Sequence, residues 1–238
     1  MTWYDRAQLY DRAFSWDATP EREFVLEASR RYGIATPRRI LEPFCGSGRL
    51  LPGLPGLVVG SDINAAMLRI ARERAAVVRG DACDCPWRKG SFDLAFNLID
   101  SFRHLLTEER AARHLSSIGR ALAPGAIYVL GLDVTGDLPG DVSFEKWDRH
   151  GVSCCVGGFG DADPSSRLET LHAQLTAAGE VVEEFYPMRV YGTRDLEDLI
   201  DGEGSFEIAG VFDRHYDLDR SIELSEVCGS AVLVLRRE

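Results

Sequence analysis

The stretch Ile40-Leu41-Glu42-Pro43-Phe44-Cys45-Gly46-Ser47-Gly48-Arg49-Leu50 decides how the rest of this chain is read. Its first five residues form a short apolar run of the kind found in a strand covered on both faces. The run ends in Gly-Ser-Gly, where small residues let backbone amides come close to a ligand. Alone, such a glycine pair is as readily an ordinary turn. The next apolar run, residues 57–61, leads to Asp62, whose carboxylate can accept hydrogen bonds from both hydroxyls of a ribose. A third, residues 76–78, is followed by Gly80-Asp81-Ala82, where Asp81 and nearby backbone can receive an adenine exocyclic amine. Either aspartate alone also reads as a solvated loop carboxylate or a helix cap.

Working outward, residues 92–98 and 126–132 are further apolar runs, and helical patterns lie between several of them. Thr19 can cap a helix with Pro20 at its first position, running over 21–32 and closing at Gly33. Asn64 can cap a helix over 65–75, and Thr107 a longer one to Leu122, broken by Pro124-Gly125. Strand and helix in alternation select a parallel sheet with right-handed crossovers, whose ligand site lies beyond the carboxyl ends of the strands where their order reverses.

From Val142 the pattern changes to two antiparallel hairpins: 144–149 with 152–156 around His150-Gly151, and 168–175 with 181–190 around Gly179. A helix over 194–200 and strands over 206–212 and 230–235 return the chain to the main sheet. The expected fold is α/β, a Rossmann-like, doubly wound, mostly parallel seven-stranded sheet with an antiparallel β insertion acting as a lid. It is read as a single domain over 1–238, with an N-terminal cap segment and helix (1–36), a cofactor-binding core (37–141), the lid (142–191) and a C-terminal return (192–238).

The chain has 238 residues and a formal net charge of -11, which repels phosphate backbones and makes nucleic acid a disfavoured partner. No apolar run approaches a bilayer span, and the start is aromatic and acidic rather than a basic segment with an apolar core. A cytoplasmic protein with no membrane partner is expected. Six cysteines fit reduced thiols. Cys83, Cys85, Cys154 and Cys155 lack the paired C-x-x-C clusters of a structural zinc site, so no metal is expected.

The order of ILEPFCGSGRL (40–50), VVGSDINAAML (58–68), RGDACDCPW (79–87), FDLAFNLIDSFRHL (92–105) and ALAPGAIYVL (121–130) resembles the class I S-adenosylmethionine-dependent methyltransferases, in the branch that includes small-molecule N- and O-methyltransferases. The resemblance covers about the first half of the chain. It implies that Glu42, Gly46 and Gly48 surround the amino-acid end of the cofactor and that Asp62 holds its ribose. It implies further that Ile63 and Met67 flank adenine, that Asp81 and Ala82 contact its edge, and that Asn97 sits near the methionine moiety. Met67 reads equally well as helix core. The N-terminal WYDRAQLYDRAFSWD (3–17) is dense in aromatics, and packing of Tyr4, Tyr10, Phe14 and Trp16 accounts for that. In the resembling enzymes a Tyr-Asp pair here folds over the cofactor, which makes Tyr10 the candidate lid contact.

The sequence departs from the pattern after Gly48, where LLPGLPGL with Pro52 and Pro55 leaves room for a helix of one or two turns only. Methyl transfer from a sulfonium is an in-line displacement, so the protein's part is alignment, desolvation and, where needed, proton removal. Candidates at the mouth are Asp100, Ser101, Arg103, His104, Asp133 and Tyr191. His104 is the expected base or substrate contact, with Tyr10 beside it in the catalytic set; a capping or solvated histidine is the plain alternative. Trp147, Arg149, Phe185, Met188 and Arg189 are candidate pocket residues of the lid.

The expected activity is methyl transfer to a small-molecule N or O nucleophile. Two rivals keep the cofactor: a nucleic-acid base methyltransferase, disfavoured because Asn97-Leu98-Ile99-Asp100 is not the N-P-P-aromatic clamp of such enzymes, and a non-catalytic cofactor-binding module. An NAD-dependent dehydrogenase would need a third glycine where Leu51 stands.

Overall fold

Apolar runs that alternate with amphipathic helices are satisfied only by a sheet covered on both faces, and the chain folds this way. The computed structural model describes residues 2–134, 144–159, 162–163, 165–227 and 229–238. The strands β1 (Arg39–Pro43), β2 (Leu57–Asp62), β3 (Ala76–Arg79), β4 (Phe92–Asn97) and β5 (Leu122–Val134) are parallel. A second sheet holds β6 (Phe144–Arg149), β7 (Val152–Gly158), β8 (Leu168–Ala177) and β9 (Glu180–Arg189), all antiparallel. The chain then adds β10 (Phe206–Asp213) and β11 (Gly229–Arg237) to the first sheet.

The main sheet has seven strands in the order β10-β11-β5-β4-β1-β2-β3, with β11 antiparallel to both neighbours. The chain runs outward from β1 through β2 to β3, then returns to the other side of β1 for β4. A crevice therefore opens at the carboxyl ends of β1 and β4, the switch point of a doubly wound sheet.

Two apolar layers flank the sheet. On one, α4 (Glu108–Ala121) and α5 (Thr193–Glu203) bury Leu115, Ile118, Leu196 and Ile200 against Tyr128, Leu130 and Leu233. On the other, α2 (Thr19–Tyr32) buries Phe24, Val25 and Ala28 against Ile40, Leu94 and Phe212. Each such large side chain removed from water contributes about 1.5–3 kcal/mol. His114 of α4 is fully buried with both ring nitrogens 3.0 Å from partners, the Ala82 carbonyl oxygen and the Tyr128 hydroxyl. The N-terminal helix α1 (Ala7–Ala13), preceded by a 3-10 turn at Trp3–Asp5, packs on the second sheet. The Trp147 Nε1 donates to the Ala13 carbonyl at 2.7 Å and the Trp3 amide to Glu184 at 2.8 Å.

Several expectations need correction. Residues 49–56 form consecutive turns and no helix, because Pro52, Pro55 and the left-handed Gly53 and Gly56 (φ 86° and 75°) break any helical run. Thr19 is not the cap of α2 but its first residue; Asp17 accepts from the Thr19 amide at 3.0 Å instead. The helix α3 (Ala65–Ala71) stops four residues early, and Arg74 in the turn beyond it pairs with Asp11 at 2.6 Å. The strand β5 begins at Leu122 rather than Ala126, taking Pro124-Gly125 into an irregular start. The expected start of the antiparallel region at Val142 lies outside the described residues.

Candidate active site

The crevice at the switch point is built from the turn after β1 outward. Phe44 and Gly46 both adopt left-handed backbone (φ 55° and 54°), and the Gly46 amide donates to Asp62 Oδ2 at 2.8 Å. Asp62 Oδ1 accepts from the Asn64 amide at 2.7 Å, while the Asn64 side chain caps α3 by accepting from the amides of Ala66 and Met67. The acid is thus fixed by backbone donors on each oxygen and keeps a second lone pair on each for a ligand. Desolvation raises its pKa above the usual carboxylate value.

Gly46, Asp62, Ile63, Met67, Asp81 and Ala82 line one continuous cavity of about 1460 Å³. A side chain on Gly46 would meet nothing within 4 Å, so its absence leaves the turn open to a ligand. Ile63 is the most exposed large apolar residue described (63%). Asp81 pairs with Arg110 at 3.0 Å and accepts from the Cys83 amide at 2.9 Å. Met67 is both 1% exposed and cavity-lining, so core packing and contact coexist.

Glu42, Gly48 and Asn97 stand behind this wall rather than on it. Gly48 is held by packing: with φ 76°, an added Cβ would lie 3.1 Å from that of Ala71. Glu42 is buried and its Oε2 has no hydrogen-bond partner among the described residues; desolvation raises its pKa well above normal. Asn97 donates to the Pro43 carbonyl at 3.2 Å and leaves its Oδ1 without a partner among the described residues.

The rest of the cavity lining comes from the segment after β4, the N-terminal segment and the second sheet. Tyr4 and Tyr10 line the cavity with His104, Asp100, Ser101, Arg103 and Asp133. The Tyr4 hydroxyl and His104 Nε2 share a hydrogen bond of 2.8 Å, and the imidazole stacks on Tyr186 at 5.5 Å. Desolvation, assisted by the charge of Arg103, pushes the His104 pKa down to about 4. Asp100 adopts left-handed backbone (φ 50°), and burial raises its carboxyl to about 7 despite the opposing charge of Arg103. Arg103 itself, 2% exposed, ties the two sheets together. It donates to Asp100 at 2.9 Å, to the Arg189 carbonyl at 2.8 Å and to Glu169 of β8.

Trp147, Arg149 and Met188 of the second sheet line the cavity as expected. Three other candidates do not. Phe185 is 51% exposed beside Phe159 and His172, Arg189 reaches the Leu106 carbonyl, and Tyr191 packs on Phe102 in the core. The sequence reading did not single out Glu169 as the partner of Arg103, nor Arg49, whose guanidinium lies 4.4 Å over the Trp16 ring. The charged residue directly after the glycine turn was the available signal for Arg49. Cys45, Cys83, Cys85 and Cys154 are buried free thiols, and no group of three or more potential ligands is placed to hold a metal among the described residues. No described helix is long and apolar enough to cross a membrane.

Residues 40–125, from β1 to the start of β5, match the family model described as a methyltransferase domain. The whole chain is similar in fold to an S-adenosylmethionine-dependent methyltransferase from Clostridium acetobutylicum, with a TM-score of 0.76 and 16% identity over 99% of this chain and 98% of that one. It is similar to an S-adenosylmethionine-bound amino pentose methyltransferase from Micromonospora echinaspora involved in calicheamicin biosynthesis (TM-score 0.71, 19% identity, 97% and 96% covered). A sugar N-methyltransferase from Streptoalloteichus is also similar (TM-score 0.68, 19% identity, 97% and 92% covered). None of the curated protein sequences matches the chain.

Proposed function

We propose that the chain transfers the methyl group of S-adenosylmethionine to a small molecule by in-line displacement, and that the accepting atom is a nitrogen. The observation that carries this reading is that Gly46, Asp62 and Asp81 line the same cavity as Tyr4, His104 and Asp100. At about 1460 Å³ it exceeds the roughly 300–1,000 Å³ of an ordinary ligand site, leaving room for cofactor and acceptor together.

The residues present fit the cofactor. Gly46 leaves space at the turn, Asp62 offers free lone pairs to a diol, and the orphaned Glu42 Oε2 and Asn97 Oδ1 are acceptors without donors beneath it. When bound, the cofactor supplies an electrophilic methyl on a sulfonium. Tyr10, Phe14 and Trp16 would shield it from water, and the second sheet would act as the lid whose contacts select the acceptor.

A nitrogen acceptor is favoured by the proton affinities in the cavity. A hydroxyl needs a base as it attacks, and an imidazole with a pKa near 4, already hydrogen-bonded to Tyr4, is a poor one. An amine attacks through its free lone pair once its ammonium proton has left. Asp100, near 7, is matched to take that proton at neutral pH, with His104 orienting the acceptor as a neutral partner. The similar amino pentose and sugar N-methyltransferases support this choice.

The test is calorimetric titration with S-adenosylmethionine, S-adenosylhomocysteine and NAD, with Asp62→Ala as control. Saturable binding of the first two, weakened at least tenfold in the variant, is expected. A folded protein that binds NAD alone would reverse the reading, and one that binds the cofactor but methylates no amine, hydroxyl or carboxylate would be a non-catalytic module.

A further inference from the structure

Where the second sheet lines the cavity, its strands present an apolar surface next to one engaged ion pair. On β8, Glu169 and Leu171 both line the cavity, two residues apart and so on one face of the strand. Met188 of β9 pairs with Glu169 in register, and Gly158 of β7 pairs with Leu171; both line the cavity too. From the main sheet, Leu98 after β4 and Leu132 of β5 complete this apolar lining. The charged members are committed to each other. Glu169 pairs with Arg103, whose remaining nitrogens donate to Asp100 at 2.9 Å and to the Arg189 carbonyl at 2.8 Å. Gly158 is the open position in this surface. Its backbone is not left-handed, and an added Cβ would meet only Glu169 Oε2, at 3.7 Å. Neither conformation nor crowding requires a glycine there, and its missing side chain leaves space in the cavity.

Apolar surface of this kind favours a ligand that removes it from water, whereas a hydroxyl placed against it loses water and gains no partner. We propose that the acceptor is an amine with an apolar body, alkyl or aryl, which lies against Leu98, Leu132, Leu171 and Met188 in the space left by Gly158. The inference rests on the nitrogen-acceptor reading given above and adds the body that carries the nitrogen. Successive side chains on one strand face are about 7 Å apart, so the body begins one such step from the carboxylate of Glu169. A sugar amine, with a hydroxyl on most of its carbons, is disfavoured by the same surface, because Arg103 and Glu169 already use their hydrogen-bonding groups on protein partners. The chain would then differ in acceptor from the sugar N-methyltransferase to which it is similar in fold.

The experiment measures kcat/KM with S-adenosylmethionine for butylamine, hexylamine and octylamine, which differ only in apolar length, and for the ring pair cyclohexylamine and glucosamine, compared per free amine. Burial of each methylene predicts a rise of about fourfold along the alkyl series. Cyclohexylamine should exceed glucosamine by about tenfold or more. In Gly158→Leu the new side chain occupies the space, so kcat/KM for octylamine and cyclohexylamine should fall about tenfold, while the calorimetric dissociation constant for S-adenosylhomocysteine is unchanged and shows that the variant is folded. A flat alkyl series, or glucosamine preferred over cyclohexylamine, would overturn the apolar body and leave the nitrogen reading standing. An unaltered series in Gly158→Leu would overturn its placement against β7. Turnover of no amine by a protein that binds S-adenosylhomocysteine would remove the nitrogen reading and this inference with it.

Discussion

At the residue scale, two titratable groups that line the cavity, Asp100 and His104, are displaced in opposite ways. Burial raises Asp100 to about 7 and lowers His104 to about 4, so near neutral pH only Asp100 changes charge. Because the carboxylate is the form that takes a proton, kcat should rise with pH through about 7. In Asp100→Asn this limb should vanish and kcat fall about 100-fold, the lower range of a lost proton acceptor. In His104→Gln the limb should remain, with a loss nearer fivefold, since one hydrogen bond of about 1 kcal/mol is removed. Rate profiles from pH 5.5 to 9 on an amine substrate distinguish the two, and a limb lost in His104→Gln but kept in Asp100→Asn would exchange their roles. The two residues were visible in the sequence as members of IDSFRH, but their proton affinities were not. Those depend on Tyr4, Tyr186 and Asp133, brought in from other elements by the fold.

At the scale of elements, Arg103 decides how the second sheet sits on the first. Its guanidinium is almost wholly buried and bridges Asp100, Glu169 and the Arg189 carbonyl. Removing one partner of a buried ionic group strands the others, at a cost of about 3–5 kcal/mol. Arg103→Met should therefore lower the melting temperature by roughly 10 °C, measured by calorimetry. It should also raise KM for the acceptor, because Trp147, Arg149 and Met188 reach the cavity from the sheet that Arg103 anchors. An unchanged melting temperature would mean that the N-terminal aromatic packing alone holds the sheet.

The same scale explains what sequence could and could not show. Apolar runs over 40–44, 57–61 and 92–98 stand out because strands buried on both faces admit little else, and the hairpins stand out through period-2 alternation with glycine turns. The helix after Gly48 was expected because the surrounding motif normally leads into one. Two prolines and two left-handed glycines overrode it. The cavity residues Gly46, Asp62 and Asp81 were legible because each ends or follows a strand. The partners of Arg103 and Arg49 were not: Glu169 is 66 residues from Arg103 and Glu21 is 28 from Arg49, with no local spacing to connect either pair.

At the scale of the whole molecule, both sheets are buttressed by histidines kept neutral. His114 lies in the main core between Ala82 and Tyr128, and His104 joins the N-terminal segment to the segment after β4. Burial lowers both to about 4, below the ordinary value of 6.5. A histidine whose folded pKa is depressed gives its full stability above the unfolded value and loses it as pH falls through the folded one. The window is therefore pH 6.5 down to about 4, and each group contributes roughly 3 kcal/mol across it. Asp100 runs the other way. Its folded pKa is raised, so its contribution is greatest below the unfolded value of 3.8 and declines as pH rises through about 7, which partly offsets the histidines. Urea unfolding of the wild type at pH 7, 5.5 and 4.5 should show a steep loss of stability toward acid. The double variant His104→Gln/His114→Gln starts lower, with two buried hydrogen-bonding sites altered, but its stability should fall less over the same interval. Parallel curves for the two proteins would mean that neither histidine resists protonation in the folded chain.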